Sequence, residues 1–442
     1  MIKKLIVLLL ISNCTILYAQ TIKTDVLVIG GSPSGVAAAL QCARSKVKTI
    51  LILSNNSLGD FKTGGMLVFN NNISSGIWGE FRRLVQEKTA TNDTSLRTPV
   101  QFEAQVGESI LKELTDTVKK LTIYLHAPFK SIKKDGNYWD VNTTQNGKTI
   151  LIKTRVVVDA TEKGEAAEKT GAKLPDNFDI YKDNSGTNTY RTSIAAGEGL
   201  LSQPYKALKS PGNNYPSFPA YCIPISGVVL KDVDNLLITE KLIPGDKNIE
   251  NLPLQLQLGQ GAGTVAAYCA FFKTTTKNLK VRVIQGELLD FKGYLLPFTD
   301  ITPQDPNWRA IQQVCATGLL KGGELHLEFS SQFVFNPDAT VNTADIKPVL
   351  TEIYTRAFLW FNKERPAEKF TVGNMISFMS DFTLTDVALM KANIQKAWKT
   401  QYKFKSDFDL THPITRREFA VLANKYLNPF ARTVDLSGKF VN

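Results

Sequence analysis

The chain of 442 residues carries 52 lysines and arginines against 41 acidic residues, a formal charge of +11, and 43% of it is hydrophobic. The apolar share excludes a disordered chain, and the length provides two or three domains. Basic residues are scattered, with no long Lys/Arg block and no aromatic-interleaved basic stripe, so the excess charge is a solvated surface and no nucleic-acid footprint is expected.

Residues 1–20 read as a secretory signal peptide. Lys3 and Lys4 give a positive start, Leu5 to Ile11 is apolar, and Leu17-Tyr18-Ala19-Gln20 offers a small residue for cleavage after Ala19 or Gln20. The apolar run is short for a membrane anchor, and no later segment is long and apolar enough to span a bilayer. The mature protein is therefore expected to be exported, periplasmic or extracellular. Cys42, Cys222, Cys269 and Cys315 remain after cleavage. They lie far apart with no Cys-x-x-Cys, which excludes a local metal or iron–sulfur signature. Export permits a disulfide, but spacing does not fix a pairing. The three histidines, at 126, 326 and 412, have no metal-ligand spacing.

The folded part begins with Asp25-Val26-Leu27-Val28-Ile29-Gly30-Gly31-Ser32-Pro33-Ser34-Gly35, followed by Val36-Ala37-Ala38-Ala39-Leu40. An apolar run, a small-residue turn and a helix-favouring run predict a strand, a phosphate loop and a helix. In a dinucleotide fold, backbone N–H groups and the positive end of the helix hold a pyrophosphate there. Gly30 permits the turn and Gly35 lets helix and strand approach. Ser32 stands where the pattern has its middle glycine, so the Gly-x-Gly-x-x-Gly match is imperfect.

A second strand follows at Thr49-Ile50-Leu51-Ile52-Leu53. An acidic residue usually closes this strand and binds ribose hydroxyls; here Ser54 and Asn55 stand in that place. A glycine-bearing loop follows at residues 58–66. Helices are predicted at Gly79–Lys88 and from Gln101 to Lys120, where apolar residues recur at helical spacing. Short β segments are expected at Leu121–His126, Phe129–Lys133, Tyr138–Thr143 and Ile150–Val158, with turns at Lys134-Asp135-Gly136-Asn137 and Gln145-Asn146-Gly147. Asp159-Ala160-Thr161-Glu162 then leads to an Ala/Glu-rich helix ending near Lys169. Residues 173–230 read as a loop-rich insertion, and Asn235-Leu236-Leu237-Ile238-Thr239 as a buried strand. Gly259-Gln260-Gly261-Ala262-Gly263 is expected to open a helix running to about Phe272 and to offer free N–H groups.

Taken in order, Val28-Ile29-Gly30-Gly31-Ser32-Pro33-Ser34-Gly35, Asp159-Ala160-Thr161-Glu162, Asp234-Asn235-Leu236-Leu237 and Gly259-Gln260-Gly261-Ala262-Gly263 resemble the FAD-dependent oxidoreductases of the two-dinucleotide-binding-domain type. More narrowly they resemble the xanthan-lyase-like members, related to the flavin subunit of heterodisulfide reductases. The resemblance implies an α/β fold: a Rossmann-like FAD-binding domain with β-rich insertions, over residues 21–290 with insertions at about 60–125 and 173–230, followed by a mainly helical C-terminal domain. It implies FAD as cofactor. Gly30, Gly31, Ser32, Pro33, Ser34 and Gly35 would meet the pyrophosphate, with Ala160 and Thr161 near it. Ser54 and Asn55 would face the adenosine ribose, and Phe129 would place its backbone by the adenine. Gln260, Gly261 and Ala262 would approach the ribityl chain or the flavin. The family pattern has Gly-Gly where Gly59-Asp60 stand, and small residues where Glu240-Lys241 stand. No catalytic residue follows; Tyr190, Arg191 and Lys241 are substrate-side candidates, each against a reading as plain surface residues. The substrate is an unidentified small molecule, a carbohydrate by family analogy.

From about Thr299 the character changes. Pro297, Pro303 and Pro306 punctuate an expected linker. Asp300, Trp308, Ala310-Ile311, Gly318-Leu319-Leu320-Lys321-Gly322 and Phe335-Asn336-Pro337-Asp338 resemble a surface-layer-homology repeat, and Pro413-Ile414-Thr415-Arg416-Arg417-Glu418-Phe419 resembles its Thr-Arg-x-Glu signature. As residues, Thr415 and Glu418 form a capping box. Asn342-Thr343-Ala344-Asp345 and Thr371-Val372-Gly373-Asn374 read as eroded versions. Three irregular, all-helical repeats are expected in residues 295–442. The resemblance implies a glycan partner, with Arg416 as the binding arginine; the competing reading is a purely structural cap. The rival to an enzyme is a cofactor-free flavoprotein fold that holds a glycan or protein partner.

Overall fold

Val26–Ile29, Ile50–Leu53 and Val156–Val158 are all buried, as expected of parallel strands covered on both faces. The computed structural model describes residues 20–61, 66–69, 73–89, 100–175, 186–198, 220–243, 251–326 and 331–441. The expected signal peptide falls outside them, apart from Gln20. The main sheet contains β1 (Gln20–Ile29), β2 (Thr49–Ile52), β3 (Leu121–Tyr124), β4 (Phe129–Asp135), β5 (Tyr138–Gln145), β6 (Lys148–Asp159) and β7 (Leu236–Ile238). Its order is β3-β2-β1-β6-β5-β4, with β7 also on β6. β3, β2, β1, β6 and β7 run parallel, whereas β4 and β5 form an antiparallel meander on β6. β6 is long enough to carry β5 along its first half and β7 at its end. The parallel order 3-2-1-4-5 is that of a doubly wound dinucleotide fold.

The register levels the strand ends: Ile29 pairs with Ile52 and Asp159, Ile52 with Tyr124, and Ile238 with Asp159. Gly30, Leu53, Ala160 and Thr239 therefore emerge side by side at one edge. Above it, the helix Pro33–Arg44 lies parallel to and against a 20-residue helix, Leu252–Phe271. That helix is buried all round from Leu252 to Ala270, as a helix without a polar face must be.

Three expectations change within residues 100–272. The helix predicted from Gln101 to Lys120 is instead a strand, Val100–Glu103, paired with Met66–Phe69, followed by the helix Ala104–Asp116. Alternation of buried Val100 and Phe102 with exposed Gln101 and Glu103 fits period two better than a helix. The glycine helix starts seven residues before Gly259, at Leu252. Within residues 173–230, the described parts hold the helix Thr187–Thr192 and a hairpin of Ser193–Glu198 with Ala220–Pro224.

Residues 295–301 are packed rather than a solvated linker: Leu295, Leu296, Phe298 and Ile301 are all buried. The Gln312 carboxamide accepts from Leu295 and Leu296 N–H and donates to Leu296 O. Beyond Trp308–Cys315 the region is not all helical, because Gly323–His326 pairs with Ser331–Val334. The helices Thr343–Ile353, Val372–Thr383 and Arg416–Leu422 start at one junction. Short bridges join Thr340 to Thr415, Asn342 to Lys369 and Thr371 to Pro413, closing a ring of three segments. Thr371 with Asn374 and Thr415 with Glu418 form capping boxes.

Candidate functional site

The turn after β1 sits where connections leave the sheet in opposite directions, the usual place for a ligand in such sheets. Gly30 has φ +113°, and a Cβ there would stand 2.6 Å from Ala160 O. A Cβ on Gly35 would stand 2.2 Å from Gly30 O. Ser32 caps the helix: its Oγ accepts the Gly35 N–H at 3.2 Å and reaches Ala160 O at 3.2 Å. Pro33 holds the first helical position, where an N–H would have no partner anyway. The Ser34 N–H remains a first-turn donor without an intrahelical acceptor. This turn offers a small-residue cradle and a helix N-terminus to an anion.

An unanticipated carboxylate lies behind the cradle. Ser34 Oγ donates to Glu240 Oε2 at 2.7 Å and lies 2.9 Å from Thr239 Oγ1; Gln255 Nε2 donates to Glu240 Oε1 at 2.6 Å. Glu240 is buried. It thus ties the end of β7 to the first turn of the phosphate helix and to the long helix. In sequence it showed only as a departure from the family pattern.

The remaining predicted residues divide into groups. Ser54 and Asn55 are exposed at the end of β2. Asn55 Nδ2 donates to Asp60 Oδ1 at 2.7 Å, so two departures from the family pattern are partners. His126 N–H donates to Asn55 O and Ala127 N–H to Leu53 O. These bonds bring the start of β4, with half-buried Phe129, alongside the end of β2. Ala160 is buried as the floor under Gly30 and Gly35. The Thr161 hydroxyl donates to Asp159 Oδ1 and accepts the Glu165 N–H. Burial pushes the Asp159 carboxyl upward in pKa, opposed by bonds from Thr161 and the Ala167 N–H.

Gln260, Gly261 and Ala262 lie in the middle of the long helix, so their N–H groups belong to helical turns and are not free as the sequence suggested. The three glycines serve close packing instead. A Cβ on Gly259 would meet Ser34 O at 2.2 Å, on Gly261 Ile194 O at 2.6 Å, and on Gly263 Ala38 O at 2.5 Å. Gln260 is a buried tie: its Oε1 accepts the Ile77 N–H, and its Nε2 donates to Gln41 Oε1 and Phe291 O. Ala262 is wholly buried.

Because Gly259 faces Ser34 and Gly263 faces Ala38, the long helix overhangs the phosphate helix by seven residues, about 10 Å at the helical rise. Its start is signalled by Asn251-Leu252-Pro253, a cap residue followed by an early proline. Gln257 lies in this overhang, buried, and among the described residues neither atom of its carboxamide has a hydrogen-bond partner. An orphaned amide costs about 1–3 kcal/mol. A glycine cradle, an anion-binding helix start and an unpaired amide in the overhang fit a dinucleotide.

Tyr190 and Arg191 are buried away from solvent, contrary to the surface reading, and Arg191 is fully engaged as described below. Lys241 is half-exposed in the turn Glu240–Leu242. Cys42, Cys222, Cys269 and Cys315 are buried free thiols; burial pushes Cys222, Cys269 and Cys315 up to about 12. Among the described residues no His/Cys/Asp/Glu group is arranged to hold a metal, and no helix is long and apolar enough to cross a membrane.

Residues 25–175 match the family model described as FAD dependent oxidoreductase. This segment contains β1 to β6 from Asp25 onward and the phosphate turn, about a third of the chain, and it resembles that type, whose cofactor is FAD. Among solved structures, the chain is similar to the flavin-dependent monooxygenase PieE in complex with FAD and substrate, at 16% identity, TM-score 0.29, covering 36% of this chain and 34% of that one. It is also similar to the rebeccamycin biosynthetic enzyme RebC with reduced flavin, at 16% identity, TM-score 0.28, covering 35% and 36%. A third is the bacillithiol disulfide reductase Bdr (YpdA) from Staphylococcus aureus, at 17% identity, TM-score 0.23, covering 32% and 39%. The chain therefore spans little more than a third of the length of each of these structures. No curated protein sequence matches it.

Proposed function

We propose that this chain is an exported FAD-dependent oxidoreductase that binds its flavin without a covalent bond and acts on a small molecule, with a carbohydrate as the substrate class. The observation that supports it best is the turn Gly30–Gly35 set at the levelled strand ends. Gly30 to Gly35 would hold the pyrophosphate, the Ser54–Phe129 edge the adenosine, and the overhang Leu252–Leu258 the flavin end. FAD, when bound, supplies the redox chemistry, while the protein supplies position and electrostatics. The ring of three helix starts in residues 340–415 favours a repeat-like C-terminal part, read here as a glycan-binding unit of the surface-layer-homology kind. Within it Arg416 donates to Phe335 O and Lys321 O, and its guanidinium lies over the Phe335 ring. A glycan would thus have to compete with bonds already made.

One observation favours the rival, a fold that holds no FAD. The Glu240 carboxylate bonds the first turn of the phosphate helix, where like charge opposes a pyrophosphate. The deciding measurement is the visible spectrum of the full-length protein before and after incubation with FAD and desalting, run alongside Glu240→Gln. Flavin bands near one equivalent in the wild type support the oxidoreductase. Bands only in Glu240→Gln would assign the wild type to the rival, and bands in neither would remove the flavin reading altogether. The like-charge argument predicts at least about tenfold tighter FAD binding by Glu240→Gln than by wild type, about 1.4 kcal/mol. Weaker binding would show that the carboxylate helps hold the cofactor, and equal binding that its charge does not reach the site.

A further inference from the structure

At the end of the long helix opposite the phosphate turn, the surface bears a hollow of about 170 Å³ lined by Thr264, Ala267, Tyr268, Phe271, Phe272 and Glu287, among others. Tyr268, Phe271 and Phe272 stand at i, i+3 and i+4, so one helical face and its end carry all three rings. Phe272 leans on both neighbours, with centroids 4.8 Å from Tyr268 at 46° and 5.1 Å from Phe271 at 78°. The rings therefore form a corner rather than a flat stack. Phe271 is 65% exposed and Phe272 55%, so folding has not used their apolar area, and no lysine or arginine among the described residues lies over their faces.

Three features of this corner attract positive charge. The ring faces carry negative quadrupole potential. The hollow sits at the C-terminal, negative end of a 20-residue helix. Glu287 supplies a carboxylate that accepts the Ser45 hydroxyl at 2.8 Å and pairs with no cation among the described residues. Ser45 is itself held by Gln41 Nε2 at 3.2 Å, so the acid is positioned rather than loose. We propose that this corner is a binding site for an organic cation, a quaternary or alkylated ammonium group whose methyls fill the aromatic corner while its charge faces Glu287. The site is separate from the flavin reading and does not depend on it. The chain's net charge of +11 repels cations at long range, so the attraction has to come from these local groups.

Isothermal titration calorimetry of the full-length protein with choline and with its neutral carbon isostere, 3,3-dimethylbutan-1-ol, tests the proposal. Choline is expected to bind saturably and roughly tenfold more tightly than the alcohol, the discrimination a partly desolvated cation–π site gives. Glu287→Gln and Phe272→Leu are each expected to lower choline affinity severalfold, with an unchanged thermal melt, since both side chains reach solvent. Equal affinity for the two probes would overturn the proposal, leaving an apolar hollow only. So would the absence of saturable choline binding, or choline binding undiminished in both folded variants.

Discussion

Replacing Gly35 by alanine is expected to strip FAD from the protein and to lower its stability together. The added Cβ would stand 2.2 Å from Gly30 O and 2.9 Å from the Ala160 side chain, whereas ordinary contact begins at 3.4 Å. The atom it strikes is backbone, so no side-chain rotation relieves it. Gly30 cannot retreat easily: its N–H is bonded to Ile52 O, and its φ of +113° is open to few residues but glycine. The helix must therefore lift away from the turn, which opens the cradle and weakens its packing on the long helix at Gly259. Overpacking of this kind costs about 1–3 kcal/mol of stability, and a displaced helix start should reduce FAD affinity by at least about tenfold. The control is Gly286→Ala in the helix Val281–Asp290, where a Cβ meets nothing within 4 Å. There alanine should stabilise, by up to about 1 kcal/mol. Urea midpoints and bound-flavin absorbance on the pair give the answer. If Gly35→Ala retained wild-type flavin and midpoint, the close packing of turn and helix would not be what the fold or the site requires.

Gly30 and Gly35 were legible because their signal is local. An apolar run, a turn and a helix within a few residues leave little choice of geometry, and β1, β2, β6 and β7 show in the sequence as short apolar runs, although their order in the sheet does not. The glycines at 259, 261 and 263 show where such reasoning stops. Glycine reports that something comes close, but sequence does not say whether it is a phosphate or another backbone. Here the neighbours are Ser34, Ile194 and Ala38, brought in from distant parts of the chain. The helix start was shifted for the same reason: Asn251 and Pro253 mark it locally, but the glycine cluster is the louder signal. Asn55 and Asp60 each depart from the family pattern, yet they bond each other across a five-residue loop, and only folded geometry shows that one departure accompanies the other. Glu240 reads as an odd residue after a strand until β7 delivers it to Ser34.

Arg191→Met should destabilise the protein by about 2–4 kcal/mol, the range for removing a buried, multiply bonded charge and leaving acceptors unpaired. Arg191 is 2% exposed. Its Nη1 and Nη2 donate to Glu352 at 2.8 and 2.6 Å, its Nε donates to Thr317 O at 2.9 Å, and Nη1 also reaches Gly438 O at 3.3 Å. The guanidinium lies 4.0 Å from the centre of the Phe440 ring. One side chain thus joins the helix Thr187–Thr192 to the helix Thr343–Ile353 and to the last residues of the chain. Methionine keeps the stem and volume but leaves Thr317 O and Gly438 O without this donor. Glu352 can return to water, since nearly half of its side chain is already exposed, which holds the loss below that of a wholly buried pair. Removing the acid instead should hurt in a different way. Arg282, half-buried nearby, bonds Arg191 O, and its pKa is pulled down to about 9 by loss of solvent first and by the charge of Arg191 second. Glu352→Ala would leave the buried Arg191 guanidinium without its carboxylate and with the Arg282 charge still beside it, so its cost should match or exceed that of Arg191→Met despite the exposure of Glu352. A double-mutant cycle on urea midpoints separates the terms, with a coupling of about 1–3 kcal/mol expected between residues in direct contact. Single variants within about 0.5 kcal/mol of wild type, the range of an ordinary surface substitution, would show that the joint between the nucleotide-binding region and the C-terminal helices rests on apolar packing alone.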